Sequence, residues 1–114
     1  MKAFVTGGTG FIGERVVQQL TEQGYDVTCL TRNPEKATRL RQWGAFIIQG
    51  DITDRESMRK GMSGADVVFH IAAWYEVGLP PGASQHAEQI NVAGTENVLG
   101  LAVELGIPKI VYTS

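Results

Sequence analysis

The sequence predicts an α/β fold, a doubly wound parallel sheet of five strands in the order 3-2-1-4-5. Short β-rich runs alternate with helical patterns along the whole chain, which implies parallel strands joined by right-handed crossovers. Most of these runs are nearly continuously apolar, as strands buried on both faces are. The first run ends in a glycine-rich turn, VTGGTGFIG over residues 5–13, which opens an amphipathic helix.

Each element has a local reason. KAFVTG closes on glycine and predicts strand 1 at 2–6. From Gly10 the period turns helical: Ile12, Val16, Val17 and Leu20 share one face, Glu14, Arg15, Gln18 and Gln19 the other, and Gly24 stops the helix. YDVTCLT predicts strand 2 at 25–31. NPEKATRLRQWG predicts a helix with Asn33 as N-cap, Pro34 at the first helical position and a stop at Gly44. AFIIQG is strand 3, TDRESMRKGM a short helix capped by Thr53 or Asp54, and ADVVFHIAA strand 4. Residues 74–84, WYEVGLPPGAS, hold two prolines and two glycines and predict a loop. A long helix is expected at 85–106, and PKIVYTS is strand 5.

A chain of 114 residues suits one small domain with a single core. A net charge of -2 and scattered lysines and arginines give no footprint for nucleic acid or an anionic membrane. No apolar stretch approaches the roughly 20 residues of a membrane span, and the start is too short for a signal peptide. Cys29 stands alone in an apolar run, so it reads as core filler in a cytoplasmic, reducing setting. No metal-ligating pattern is read.

The glycine loop sits between strand 1 and helix 1, where a phosphate-binding turn belongs. Gly7 permits a tight turn, Gly10 lets the backbone approach a pyrophosphate, and Gly13 lets the helix pack near the sheet. The helix N-terminus adds free N–H groups and the positive end of its dipole. A P-loop is excluded, because no Lys-Ser/Thr follows the last glycine. An adenosylmethionine site would want an acidic residue at the end of strand 2. That end carries Thr31 and then Arg32, where an NAD site usually carries a carboxylate. An arginine can pair with a 2′-phosphate, and Arg39 could add a second positive charge. The residue types therefore favour NADP over NAD, the alternative being two solvated surface arginines.

TGGTGFIG, together with GDITD (50–54), DVVFHIAA (66–73), NVAGTENVL (91–99) and KIVYTS, resembles the extended short-chain dehydrogenase/reductase group, the NAD-dependent epimerase/dehydratase family. TRNP and HIAAWY look most like its dihydroflavonol reductase-type members, which are NADP-dependent carbonyl reductases. The resemblance spans essentially the whole chain. It implies a partial Rossmann-type NAD(P)-binding domain over 1–114. It also implies a cofactor set of Gly7, Gly10, Phe11, Ile12, Gly13, Arg32, Arg39, Asp51, Ile52, Ile71, Ala72, Ala73, Asn91 and Ser114. In it Asp51 receives the adenine amino group, with Ile52 beside the ring, and strand 4 lines the ribose and nicotinamide half.

The family's Tyr-x-x-x-Lys pair is absent: four residues beyond Tyr25 and Tyr75 lie Cys29 and Leu79, and nothing lies four beyond Tyr112. No catalytic residue is therefore assigned. The chain reads as the cofactor-binding N-terminal part of a small-molecule oxidoreductase, cut after strand 5 and inactive alone. Alternatives are part of a nucleotide-sugar epimerase or dehydratase with NAD, a non-catalytic NADP-binding regulator, or a minimal folding unit. His70 reads as structural in preference to a catalytic base, and His86 as a surface residue. Trp74 and Tyr75 line a substrate cleft or cap the core. The long helix carries two apolar faces: Ala87, Ile90, Val98, Leu101 and Leu105 on one, Val92, Leu99 and Val103 nearly opposite. The second face predicts a homo-oligomer.

Overall fold

The computed structural model of the chain describes residues 1–71 and 83–113, with the side chains of 83–91 left out. Five strands, β1 (Lys2–Thr6), β2 (Asp26–Thr31), β3 (Phe46–Gln49), β4 (Val67–Ile71) and β5 (Lys109–Thr113), form one sheet in the order β3-β2-β1-β4-β5. Every pairing is parallel. The helices are α1 (Phe11–Glu22), α2 (Thr38–Gln42), α3 (Arg55–Met62) and α4 (Ala83–Glu104). The expected fold class and strand order are those of the structure.

Alternation along β1 explains the two layers. Ala3 and Val5 point to one face and join Val17 and Leu20 of α1 and Leu40 of α2. Phe4 points to the other and joins Met58 and Met62 of α3 and Val98, Leu101 and Ala102 of α4. All three β1 side chains are fully buried. A central strand buried on both faces is why its sequence is continuously apolar.

The helix ends follow the backbone chemistry read from the sequence. Gly24, Gly44 and Gly106 all have positive φ and follow helices. At Gly106, Ile107 N–H donates to the Ala102 carbonyl at 2.9 Å and Gly106 N–H to Val103 at 3.1 Å, the paired bonds of a Schellman stop. Asp54, one of the two cap candidates for α3, accepts from the Ser57 N–H through its side chain.

The second helix departs from expectation. It is split into a 3-10 turn, Pro34–Ala37, and a short α2. Asn33 makes no side-chain cap bond. Instead Thr31 Oγ1 accepts from Asn33 N–H at 3.1 Å, so the strand's last residue folds over the turn. The long helix begins two residues earlier than expected and ends two earlier, within the usual scatter of such boundaries. Most of the expected 74–84 loop, including Trp74 and Tyr75, lies outside the described residues, as does the His86 side chain.

α4 lies close on the α3 layer because two of its residues lack side chains. A Cβ at Gly94 would collide with the Ile52 side chain, and one at Gly100 would lie 2.5 Å from the Arg55 guanidinium. Asn97 Nδ2 donates to the Ile52 carbonyl at 3.0 Å. On the other side of the helix Val92 and Val103 are 60% and 74% exposed, while Leu99, the third residue expected on that face, is half-buried.

Candidate dinucleotide site

The strand order reverses direction between β1 and β4, and a crevice opens beyond the carboxyl ends of such a pair. The glycine loop leaves β1 at that point. Gly7 takes φ +75, and a Cβ there would sit 2.6 Å from the Ile71 carbonyl oxygen at the end of β4. A Cβ on Gly13 would collide with the Gly7 carbonyl and lie 2.7 Å from its carbon and 2.8 Å from Gly8 Cα. Gly13 thus packs against the loop's own backbone, a closer approach than the expected one to the sheet. Gly8 is buried over Cys29, Leu40 and Val17.

Gly10 is different. It is exposed, and the nearest atom to a Cβ there, the Gly7 oxygen, lies 3.5 Å away, an ordinary contact. Folding requires Gly7 and Gly13 to be bare, whereas at Gly10 it leaves room for a Cβ and gives glycine only the modest advantage of a better N-cap. The bare position leaves space for a ligand to come up against the backbone. Gly10 is the N-cap of α1 and makes no side-chain cap bond. The first helical N–H groups, of Phe11, Ile12 and Gly13, have no acceptor within the helix. Beside them the Phe11 ring is 81% exposed, with the Arg15 guanidinium 5.5 Å from its centroid, and Ile12 is partly exposed. The loop fits a pyrophosphate: bare backbone, donors and the positive helix end converge on open space.

At the end of β2, Thr31 is buried and Arg32 exposed. Among the described residues no carboxylate pairs with Arg32. Arg39 is engaged: its Nη1 donates to Glu14 Oε2 of α1 at 3.1 Å. After β3, Asp51 Oδ1 accepts from Thr53 N–H and Thr53 Oγ1, both at 3.0 Å. Ser57 Oγ accepts from the Asp51 N–H at 3.0 Å, which fixes the turn to α3. No described residue donates to Asp51 Oδ2. Ile52 packs on Gly94 of α4. Ile71 ends β4, buried behind Gly7. Asn91 belongs to α4 without a described side chain; Ala72, Ala73 and Ser114 lie outside the described residues.

His70 is 2% exposed. Its Nδ1 is 2.6 Å from Thr6 Oγ1 of β1 and its Nε2 is 2.9 Å from Thr95 Oγ1 of α4. Tyr112 of β5 tilts against it, with ring centroids 5.5 Å apart. Burial pushes its pKa below the usual 6.5, which favours the neutral ring. The histidine therefore joins β1, β4 and α4 directly behind the loop. Thr6, Thr95 and Glu14 were not picked out in the sequence as site residues. Their partners lie 64, 25 and 25 residues away, so only the fold brings them together. Among the described residues no cluster can hold a metal ion, and no helix is long and apolar enough to cross a membrane.

Known proteins resemble this chain in sequence and fold. A protein from Synechocystis sp. (strain ATCC 27184 / PCC 6803 / Kazusa), provisionally named dihydroflavonol 4-reductase, is 38% identical over 97% of the chain and 32% of its own length. A UDP-glucose-4-epimerase from Stenotrophomonas maltophila, solved with bound NAD and formylated UDP-arabinopyranose, superposes with a TM-score of 0.87 at 28% identity, over 100% of the chain and 37% of its own. The Citrobacter sp. triphenylmethane reductase complexed with NADP(H) superposes with a TM-score of 0.74 at 25% identity, over 98% and 37%. The chain spans about a third of the length of the curated relatives it matches. The profile of the NAD dependent epimerase/dehydratase family matches residues 3–114, so this Rossmann-type chain belongs to that family.

Proposed function

We propose that the chain is the NADP-binding N-terminal part of an oxidoreductase that reduces a carbonyl, or oxidises an alcohol, on a small molecule. The observation that carries this reading is Gly10, bare where the fold leaves room for a side chain. The N–H groups of Phe11, Ile12 and Gly13 hold the pyrophosphate, with Gly7 and Gly10 shaping its cradle. Asp51 takes the adenine amino group on its unengaged oxygen, with Ile52 at the edge of that pocket. Arg32 and Arg39 meet the 2′-phosphate. Ile71, Ala72, Ala73, Asn91 and Ser114 border the ribose and nicotinamide half. When bound, the nicotinamide supplies or accepts a hydride. A Tyr-x-x-x-Lys pair is absent from these residues, so binding without turnover is expected of them alone. A measured NADPH-dependent turnover by this chain would overturn that expectation.

Fluorescence titration through Trp43 and Trp74 tests the cofactor. NADPH is expected to bind about tenfold or more tightly than NADH. Equal affinities would remove the role given to Arg32. A second reading, a nucleotide-sugar epimerase or dehydratase part holding NAD, is favoured by the 0.87 TM-score to the epimerase and opposed by Arg32. Under it NADH binds the tighter. A non-catalytic NADP-binding regulator shares the binding result.

The exposed Val92 and Val103 support self-association through α4. Light scattering on a size-exclusion peak is expected to give more than one chain, and a clean monomer would count against it. The single buried thiol and the charge balance fit a cytoplasmic location without nucleic-acid or membrane partners.

A further inference from the structure

We propose that Glu14 tunes the choice between the two dinucleotides by holding Arg39 in a neutral pair; this rests on the NADP reading above. Glu14 is the only acidic residue in the first turn of α1, one position beyond Gly13. That turn stands at the carboxyl edge of a parallel sheet, so a group bonded to Glu14 is held at the same edge. The group is the Arg39 guanidinium, brought in from α2 across 25 residues of sequence. The two side chains are 26% and 66% exposed, which puts the pair on the rim and not in the core.

The charges then divide unevenly. Arg32 has no carboxylate partner among the described residues, and Arg39 has one. A carboxylate bonded to a guanidinium cancels most of the field that a third group feels beyond them. Glu14 also places a negative charge beside the helix end where dinucleotide phosphates approach. A 2′-phosphate must share Arg39 with Glu14 or take it from Glu14. A 2′-hydroxyl has no such competition to meet. Because the pair is exposed, it is weak enough to exchange. Glu14 therefore lowers the preference for the phosphorylated dinucleotide below what two arginines would give.

The test measures dissociation constants for NADPH and NADH on four chains: the natural one, Glu14→Gln, Arg39→Gln and the double variant. Glu14→Gln is expected to raise the NADPH-over-NADH preference by about threefold. Adding Arg39→Gln is expected to abolish that gain, and raising the salt concentration to shrink it. An unchanged or lowered preference in Glu14→Gln overturns the proposal while leaving the dinucleotide reading intact. A gain that survives Arg39→Gln also overturns it, because Glu14 would then act without Arg39. A natural chain that binds neither dinucleotide overturns the dinucleotide reading and this proposal together. Both side chains are on the surface, so urea midpoints within error of the natural chain verify that each variant is folded.

Discussion

Gly10 and Gly13 differ in what keeps them bare, and alanine separates the two causes. At Gly13 the new Cβ meets backbone of the loop itself, which cannot yield as a side-chain tip can. Gly13→Ala is expected to cost about 3 kcal/mol or more and to disorder the turn. At Gly10 the new Cβ makes an ordinary 3.5 Å contact with protein. Gly10→Ala is expected to cost less than about 1 kcal/mol, the scale of a poorer N-cap. It is expected to weaken dinucleotide binding by about tenfold or more, because the methyl occupies the phosphate's approach. Urea unfolding and fluorescence titration on both variants check this. Equal stability losses, or full binding by Gly10→Ala, would show that Gly10 too serves only the fold. The glycine triplet was legible in the sequence; this division of labour was not, since it depends on which atoms face each Cα.

A polar contact ties α4 to the sheet: Thr95 meets His70 of β4, which in turn meets Thr6 of β1. Burial lowers the His70 pKa from the usual 6.5, so the unfolded chain binds this proton more readily than the folded one. Stability from a neutral His70 is then complete above about pH 6.5 and is lost as pH falls from there toward the folded value. His70→Gln is expected to flatten that part of the profile. The difference in urea midpoint between the two chains from pH 8 to 5 measures it, and taking the difference removes what the rest of the chain contributes. Parallel profiles would exclude a buried neutral His70. Sequence patterns revealed β1 and the stop signals well, because alternation and glycine act locally. The break at Pro34–Ala37 was hidden, since the Asn33 side chain makes no cap bond and its N–H is taken by Thr31 Oγ1. The position of Ile52 was hidden too: a bare position on α4, Gly94, far along the chain, decides where it packs.

The whole molecule is a sheet with α1 and α2 on one face and α3 and α4 on the other. Its only sulfhydryl lies in the first of these layers. Cys29 is fully buried in β2, with its Sγ 3.4 Å from where a Gly8 Cβ would stand, directly beneath the glycine loop. Burial pushes its pKa up to about 12, so the closed state offers almost no thiolate. Labelling by a thiol reagent must wait until the loop lifts or the chain unfolds. The natural sequence therefore carries a built-in clock for opening of its phosphate cradle, with no engineered probe needed. Saturating NADPH is expected to slow that clock several-fold, since a ligand spanning the loop stabilises the closed form by mass action. A labelling rate indifferent to NADPH, at concentrations where fluorescence reports binding, would mean that the ligand rests elsewhere than on this loop.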